Sequence, residues 1–595
     1  MHRVVVFGIF LVVLCTSCAF AGDKHIYQHK EQVPLYVNKV GPYANPSETY
    51  EYYSLPFCAP DDLTPKHEDL GEVLEGDRLS NSNYDIRYKV DVQWQAICTK
   101  PGKKKVLSVE EVKKFQEAID RDYYFEMYLD DMPMWGLIGE VEKRSDEKGK
   151  EHKKYFLLTH LHFSIDYNSN QIVEVQVSAD PVQRTDITEL KETPVEFSYS
   201  IKWSESPVRF EDRMEKYSKQ SFLPQHLEVH WFSIINSCIT VLLLTGFLGT
   251  ILMRVLKNDF IKYSKEGDEE DDVEETGWKL IHGDVFRFPA RKSLFCGLVG
   301  VGAQLFFLVL ALFFLALVGV FYPYRSRGAL YTASVVLYAL TSGISGYVSA
   351  SLYRKMDGEN WVHNILLNVF LFFGPLFVCF CFLNSVAWYN HATVALPFGT
   401  IVLILCLWCL VTFPLTVLGG IAGKNTAGPF DAPVRTNKVP REIPPVPWYR
   451  SGPAQMVMAG FLPFSAIYIE LYYIFTSVWG HRVYTIYSIL FIVFIILLIV
   501  TSFITIALTY FQLAVEDHEW WWRSFFSGGS TGFFIYGYCF YYYYARSDMT
   551  GFLQTSFYFG YMLIICYAFF VMLGTVGFYS SLVFVRHIYR AIKSD

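Results

Sequence analysis

Ser293 to Phe321 reads SLFCGLVGVGAQLFFLVLALFFLALVGVF, 29 positions without a charged side chain. An α-helix rises about 1.5 Å per residue, so about 20 apolar residues cross the ~30 Å hydrocarbon core of a bilayer. The stretch therefore reads as a membrane-spanning helix. Trp231–Met253 before it has the same character. So do Ala329–Leu352, Val362–Val386, Val394–Gly420, Gln455–Val478, Tyr484–Leu513, Ser524–Tyr544 and Phe552–Val585 after it. Pro375, Pro414 and Pro463 fall inside these runs, which membrane helices tolerate. The expectation is nine spans, with residues 293–585 forming the bundle of the second to ninth.

Composition agrees. Of 595 residues, 52% are hydrophobic and 18% charged, against roughly 25% charged in an ordinary soluble domain. Intrinsic disorder is excluded, since it needs low hydrophobicity and high charge. A net charge of −7 argues against a nucleic-acid partner. Charge is concentrated before residue 230 and apolar runs after 290. The fold class expected is a polytopic α-helical membrane protein with an N-terminal, mainly β, sandwich-like lumenal domain.

The N-terminus sets the compartment. His2 and Arg3 precede an apolar core at Val4–Val13, and Ser17, Ala19 and Ala21 are small. Residues 1–21 read as a signal peptide, too short for a comfortable span. Residues 22–230 are then lumenal. Tyr84–Cys98, Lys154–Val177 in pieces and Val195–Trp203 alternate apolar and polar residues, the strand pattern. Ser108–Asp122 has helical spacing and opens with Ser108 and Glu111, a capping box. Cys58 and Cys98 are the cysteines of this segment, and an oxidising lumen makes them a candidate disulfide, two free thiols being the alternative.

Lys and Arg counts orient the spans. The segments 254–292, 353–361, 421–454, 514–523 and 586–595 hold 19, and the short loops on the other side hold 4. The positive-inside rule places the former in the cytosol, with the C-terminus. The loop 254–292 carries an acidic run from Asp268 to Glu275, read as a solvated spacer, with adaptor recognition the alternative. The loop 421–454 is rich in proline and reads as a semi-rigid linker.

Specific motifs add a family. The third loop reads Arg354-Lys355-Met356-Asp357-Gly358-Glu359-Asn360-Trp361. The sixth span holds Pro463-Phe464 and Ile469-Glu470-Leu471-Tyr472-Tyr473. After the seventh come Glu516-Asp517 and Trp520-Trp521-Trp522-Arg523-Ser524-Phe525, and the chain closes on Lys593-Ser594-Asp595. With a large lumenal domain before nine spans, the chain resembles the nonaspanins, the transmembrane-nine superfamily, over nearly its whole length. The Lys-x-Asp ending resembles that of plant members. The resemblance implies residence in Golgi and endosomal membranes and a role in sorting other membrane proteins. It also implies a tail, residues 586–595, whose Lys593 and Asp595 bind the retrograde Golgi coat. The partners implied are the lipid bilayer, client transmembrane proteins and that coat.

Candidate residues follow from chemistry. Glu470 is an intramembrane carboxylate, costly unless it serves a function. The alternative is a hydrogen bond to Asn364, Asn368, Gln304 or Gln455. Asn368 and Asn384 are weaker candidates of the same kind. Gly297, Gly300, Gly302, Gly343, Gly346, Gly574 and Gly577 let helices approach closely, within the bundle or against a partner's helix. Cys379 with Cys381, and Cys406 with Cys409, have metal-like spacing but no His or acid beside them, and read as packing residues. His160-x-His162 is an incomplete zinc set. No nucleophile–base constellation, phosphate loop or cofactor fingerprint is present, so no enzyme activity, metal or cofactor is expected. The leading function is a sorting factor, and the alternative is a transporter or channel for a small solute or ion.

Overall fold

A computed structural model describes residues 25–98, 104–145, 151–210, 213, 231–266, 277–321, 328–445, 447–480 and 487–591. The signal peptide 1–21, the acidic run and the terminal Lys593-Ser594-Asp595 lie outside the described residues.

The period-two stretches form strands. In 160–168, Leu161, Phe163 and Ile165 are buried, while His162, Ser164 and Asp166 are only partly covered. A four-stranded sheet runs in the order 171–179, 160–168, 198–205, 92–96. Within it 160–168 pairs antiparallel with 171–179 and parallel with 198–205. A second sheet is built on 35–42, which pairs with 50–51, 80–81 and 123–129, the last continuing to 132–137. Val37, Phe125 and Met127 of the second sheet share one apolar core with Phe163, Ile165 and Tyr199 of the first. The layout is sandwich-like, as expected.

Among the described residues two α-helices accompany the sheets. Helix α1 spans Leu70–Glu75 and α2 spans Val109–Asp120. In α2 the Ser108 backbone N–H donates to Glu111 Oε2 at 2.8 Å, and the Glu111 N–H donates to Ser108 Oγ at 3.3 Å. The capping box thus satisfies two amides that have no partner within the helix. Val112, Phe115, Ala118 and Ile119 form its buried face. Helix α1, six residues long, is too short to show a period, and the sequence reading had a single helix here.

The bundle comprises α3 Trp231–Glu266, α4 Lys292–Leu317, α5 Ala329–Lys355, α6 Trp361–Tyr389, α7 Phe398–Leu407 and α8 Phe413–Thr426. It continues with α9 Gly452–Val478, α10 Tyr487–Leu513, α11 Trp520–Gly529, α12 Thr531–Arg546 and α13 Phe552–Ala591. A π-helical turn, Trp408–Thr412, joins α7 to α8 into one span. Among the described residues eight helices are long and apolar enough to cross a membrane. The expected eighth span, Ser524–Tyr544, is instead divided into α11 and α12, each shorter than a bilayer requires. The break falls in Gly528-Gly529-Ser530, and Ser530 keeps helical dihedrals (φ −59°, ψ −21°), so the two halves follow one another.

Small residues decide how closely the helices pack. A Cβ on Gly346 would fall on the Thr416 carbonyl oxygen of α8, and one on Gly419 would fall on Gly343 of α5. A Cβ on Gly300 would lie 2.7 Å from the Ser345 carbonyl oxygen. Gly528 and Gly577 face each other across α11 and α13. These glycine stripes are therefore consumed inside the bundle, the first of the two readings above.

Candidate functional site

The β domain is fastened to one mouth of the bundle by residues that sit in turns. Asn45 mimics a backbone strand: its Nδ2 donates to the Thr550 carbonyl at 2.7 Å and its Oδ1 accepts from the Thr550 N–H at 2.9 Å. The Ser47 N–H donates to Gln554 Oε1 at 2.8 Å, and the Thr49 and Thr393 hydroxyls meet at 2.7 Å. Arg121 holds the adjacent buried Glu48, its Nη2 lying 2.7 Å from both carboxylate oxygens. Arg78 donates to the Ala395 carbonyl at 2.8 Å. Behind Arg78, Lys39 Nζ lies 2.9 Å from Asp77 and 3.5 Å from Glu126. Burial opposes the Lys39 charge, but Glu126 and Asp77 outweigh it and hold the ammonium well above its ordinary range. The clamp reaches the start of α5 too, where α1 packs backbone to backbone, Gly71 against Gly328. Sequence reasoning missed this clamp. Its only local signal is a polar turn, Asn45-Pro46-Ser47-Glu48-Thr49, which loops show routinely.

The opposite mouth is capped by the segment 277–291. Two members of the tryptophan triplet bond to it: Trp520 Nε1 donates to the Val285 carbonyl at 2.8 Å and Trp522 Nε1 to the Ala290 carbonyl at 2.9 Å. Trp278 Nε1 and the Tyr510 hydroxyl both donate to Asp259 Oδ2. Helix α13 continues past its expected end at Val585 to Ala591, and its Arg590 pairs with Asp431.

Within the bundle, Glu470 of α9 is 6% exposed, and its Oε1 is buried without a hydrogen-bond partner among the described residues. Helix α9 packs beside α3 here, with Cys238 within electrostatic reach of Glu470. Three of the four proposed alternative partners hydrogen-bond elsewhere. Gln304 Nε2 donates to the Tyr338 carbonyl, Asn364 Nδ2 to Ser349 Oγ at 2.9 Å, and Asn368 Oδ1 accepts from Ser345 Oγ at 3.0 Å. Helix α3 is the thin wall beside Glu470: among its described side chains only Val241, Thr245 and Leu256 are buried.

Asn368 belongs to a different place, a polar seam between α4, α5 and α6. Ser293, Ser345, Ser349, Asn364 and Asn368 line it, and Asn368 Nδ2 is buried without a partner among the described residues. The structure thus does not bring Glu470 and Asn368 together. Asn384 is spent on the backbone, accepting from the Leu396 N–H at 2.8 Å.

The remaining candidates are placed as follows. Cys58 and Cys98 are joined as a disulfide, with Cα atoms 5.3 Å apart. His160 hydrogen-bonds Ser198 and Ser200, and His162 shares Ser200. Cys379 donates to the Gly560 carbonyl, while Cys381, Cys406 and Cys409 lie exposed on the bundle.

Long apolar helices with a β domain clamped over one end define a polytopic membrane protein. The family model for Endomembrane protein 70 matches residues 49–552. Transmembrane 9 superfamily member 3 of Arabidopsis thaliana is 64% identical over 96% of this chain and 95% of its own length. Putative phagocytic receptor 1b of Dictyostelium discoideum is 48% identical over the full length of both chains. Transmembrane 9 superfamily member 1 of Bos taurus is 48% identical over 96% of this chain and 94% of its own. No solved structure matches. The chain belongs to the endomembrane protein 70 family, the nonaspanins of the transmembrane 9 superfamily, as its motifs implied.

Proposed function

We propose that this protein is a sorting factor, and not an enzyme, for other membrane proteins in Golgi and endosomal membranes, with its β domain lumenal and its C-terminus cytosolic. The observation that carries this reading is the unpartnered, buried Glu470 oxygen beside the loosely held α3. A buried polar atom without a partner costs roughly 1–3 kcal/mol. A polar group on a client's membrane helix would relieve that cost, which gives the site selectivity for such helices. The relative named as a phagocytic receptor supports work on other membrane components.

Glu470→Gln is the test. Amide and acid are nearly isosteric, but only the acid ionises. The variant is expected to fold and localise normally, while capture of client spans by crosslinking falls several-fold. Unchanged capture together with an unchanged client distribution would reduce Glu470 to a packing residue.

The seam of Asn364, Asn368, Ser345 and Ser349 favours the second reading, a path for a small solute or ion. Flux in purified proteoliposomes that disappears in Asn368→Leu or Glu470→Gln would select it over sorting.

The tail completes the proposal. Lys593 and Asp595 supply a cation and a carboxylate two residues apart, which a coat subunit reads as charge-assisted pairs. Lys593→Ala, or a few residues appended after Asp595, is expected to weaken coat binding and release the protein to post-Golgi compartments. Undiminished Golgi residence in both forms would assign retention to the spans.

A further inference from the structure

The segment between α8 and α9 contains Arg441-Glu442-Ile443-Pro444-Pro445, and a further proline follows at Pro447. A spacer needs proline, but it does not need an arginine and two prolines at intervals of three. Polyproline II has three residues per turn and rises about 3.1 Å per residue. In that conformation positions 441, 444 and 447 line one edge of the chain, about 9 Å apart.

The structure leaves this segment extended and bare. Pro447 has φ −62° and ψ 154°, values of the polyproline II region. Val439, Ile443 and Pro444 each precede a proline, which drives them toward the same region. Among the described residues no backbone hydrogen bond involves 440–445. Pro440, Arg441, Pro444, Pro445 and Pro447 are exposed. Val439 and Trp448 at the flanks are 78% and 82% exposed.

Both ends are held. The Asn437 N–H donates to the Gly283 carbonyl at 2.8 Å, and the Asn437 carbonyl accepts from Arg287 Nη2 at 2.9 Å. At the other end the turn Trp448–Arg450 leads into α9. A segment pinned at both ends has already lost conformational freedom that docking would otherwise cost. Arg441 Nη2 lies 3.8 Å from Glu516 Oε2, on side chains 45% and 26% exposed. So loose and wet a pair is worth little, and a partner's carboxylate can replace Glu516. The positive-inside rule accounts for a basic residue here. It does not account for one placed a single turn ahead of two prolines on the same edge.

We propose that Arg441, Pro444 and Pro447 dock a cytosolic adaptor domain of the SH3 class, whose aromatic-lined grooves take the prolines. An acidic pocket of that domain takes Arg441. The inference rests on the cytosolic placement of the C-terminus given above. Asp431 pairs with Arg590, so the segment and the end of α13 share one mouth.

Binding of a purified SH3 domain that prefers arginine-first proline ligands tests it. The target is the full-length protein, carrying a C-terminal epitope, in detergent and in sealed vesicles with the cytosolic face outward. The parent is expected to bind the probe in both. Arg441→Ala should weaken binding about tenfold, the loss of one charge-assisted contact of ~1.4 kcal/mol. Pro444→Ala combined with Pro447→Ala should abolish it, and Glu516→Gln should tighten it about twofold by releasing Arg441. All of the substituted prolines and Arg441 are exposed, so melting temperatures should not move. No binding by the parent, or equal binding by Arg441→Ala, would overturn the proposal. So would equal binding of a probe whose groove aromatics are replaced by alanine. Binding in detergent but not in vesicles with an accessible epitope would overturn it too, because the bilayer surface then covers the segment. An inaccessible epitope would instead overturn the cytosolic placement, and a cytosolic partner with it.

Discussion

Serine in place of Cys58 or Cys98 is expected to destabilise the β domain by several kcal/mol and to loosen its hold on the bundle. A crosslink spanning 40 residues restricts the unfolded chain by about 4 kcal/mol in the chain-entropy description. The closed loop carries α1, Arg78 and the strands 80–81, 86–87 and 92–96, so it includes two of the contacts that clamp the domain down. Either variant, or the parent protein under reductant, should show a lower melting temperature and earlier proteolysis between residues 60 and 100. Peptide mapping of the mature protein should find neither thiol free. Free thiols at both positions, or a melting temperature unmoved by reductant, would remove the crosslink from the account of stability.

Gly346→Ala is the second large effect, and Gly374→Ala is its control. Both glycines lie inside membrane helices. A methyl group on Gly346 meets the Thr416 carbonyl oxygen, and the Gly420 nitrogen lies 2.9 Å away; a methyl group on Gly374 meets nothing within 4 Å. Backbone atoms cannot rotate aside, so α5 and α8 must separate. Overpacking of this kind costs roughly 1–3 kcal/mol, while alanine for glycine in an unobstructed helix gains up to about 1 kcal/mol. Thermal unfolding in detergent should therefore drop by several degrees for Gly346→Ala and hold or rise for Gly374→Ala. Equal behaviour of the two variants would mean that the α5–α8 contact is slack.

The division of labour between sequence and fold can be followed through particular elements. Nine apolar stretches were legible because crossing hydrocarbon is a local demand on length and composition. Helix α2 was legible because Ser108 and Glu111 satisfy each other within four residues, and the strand at 160–168 because burial on one face writes a period of two. The break at Gly528-Gly529-Ser530 was not read, since a glycine pair in a span is equally compatible with a straight helix until α13 is placed against it. Helix α1 escaped because six residues are too few to display a period.

The sites divide in the same way. Glu470 was visible in the sequence because a carboxylate among apolar residues is conspicuous wherever it sits. That it packs beside α3 and leaves Asn364, Asn368 and Gln304 to other partners depends on which helices adjoin, and interhelical pairing carries no signature in a single chain. The clamp is the extreme case: Asn45 and Thr550 stand 505 residues apart, and each alone is an ordinary polar turn residue. Local chemistry settled which stretches are apolar enough for a membrane and which side chains are costly there. Only tertiary packing, which sums contacts distant in sequence, decided what those side chains meet, where the β domain docks and which glycines are indispensable.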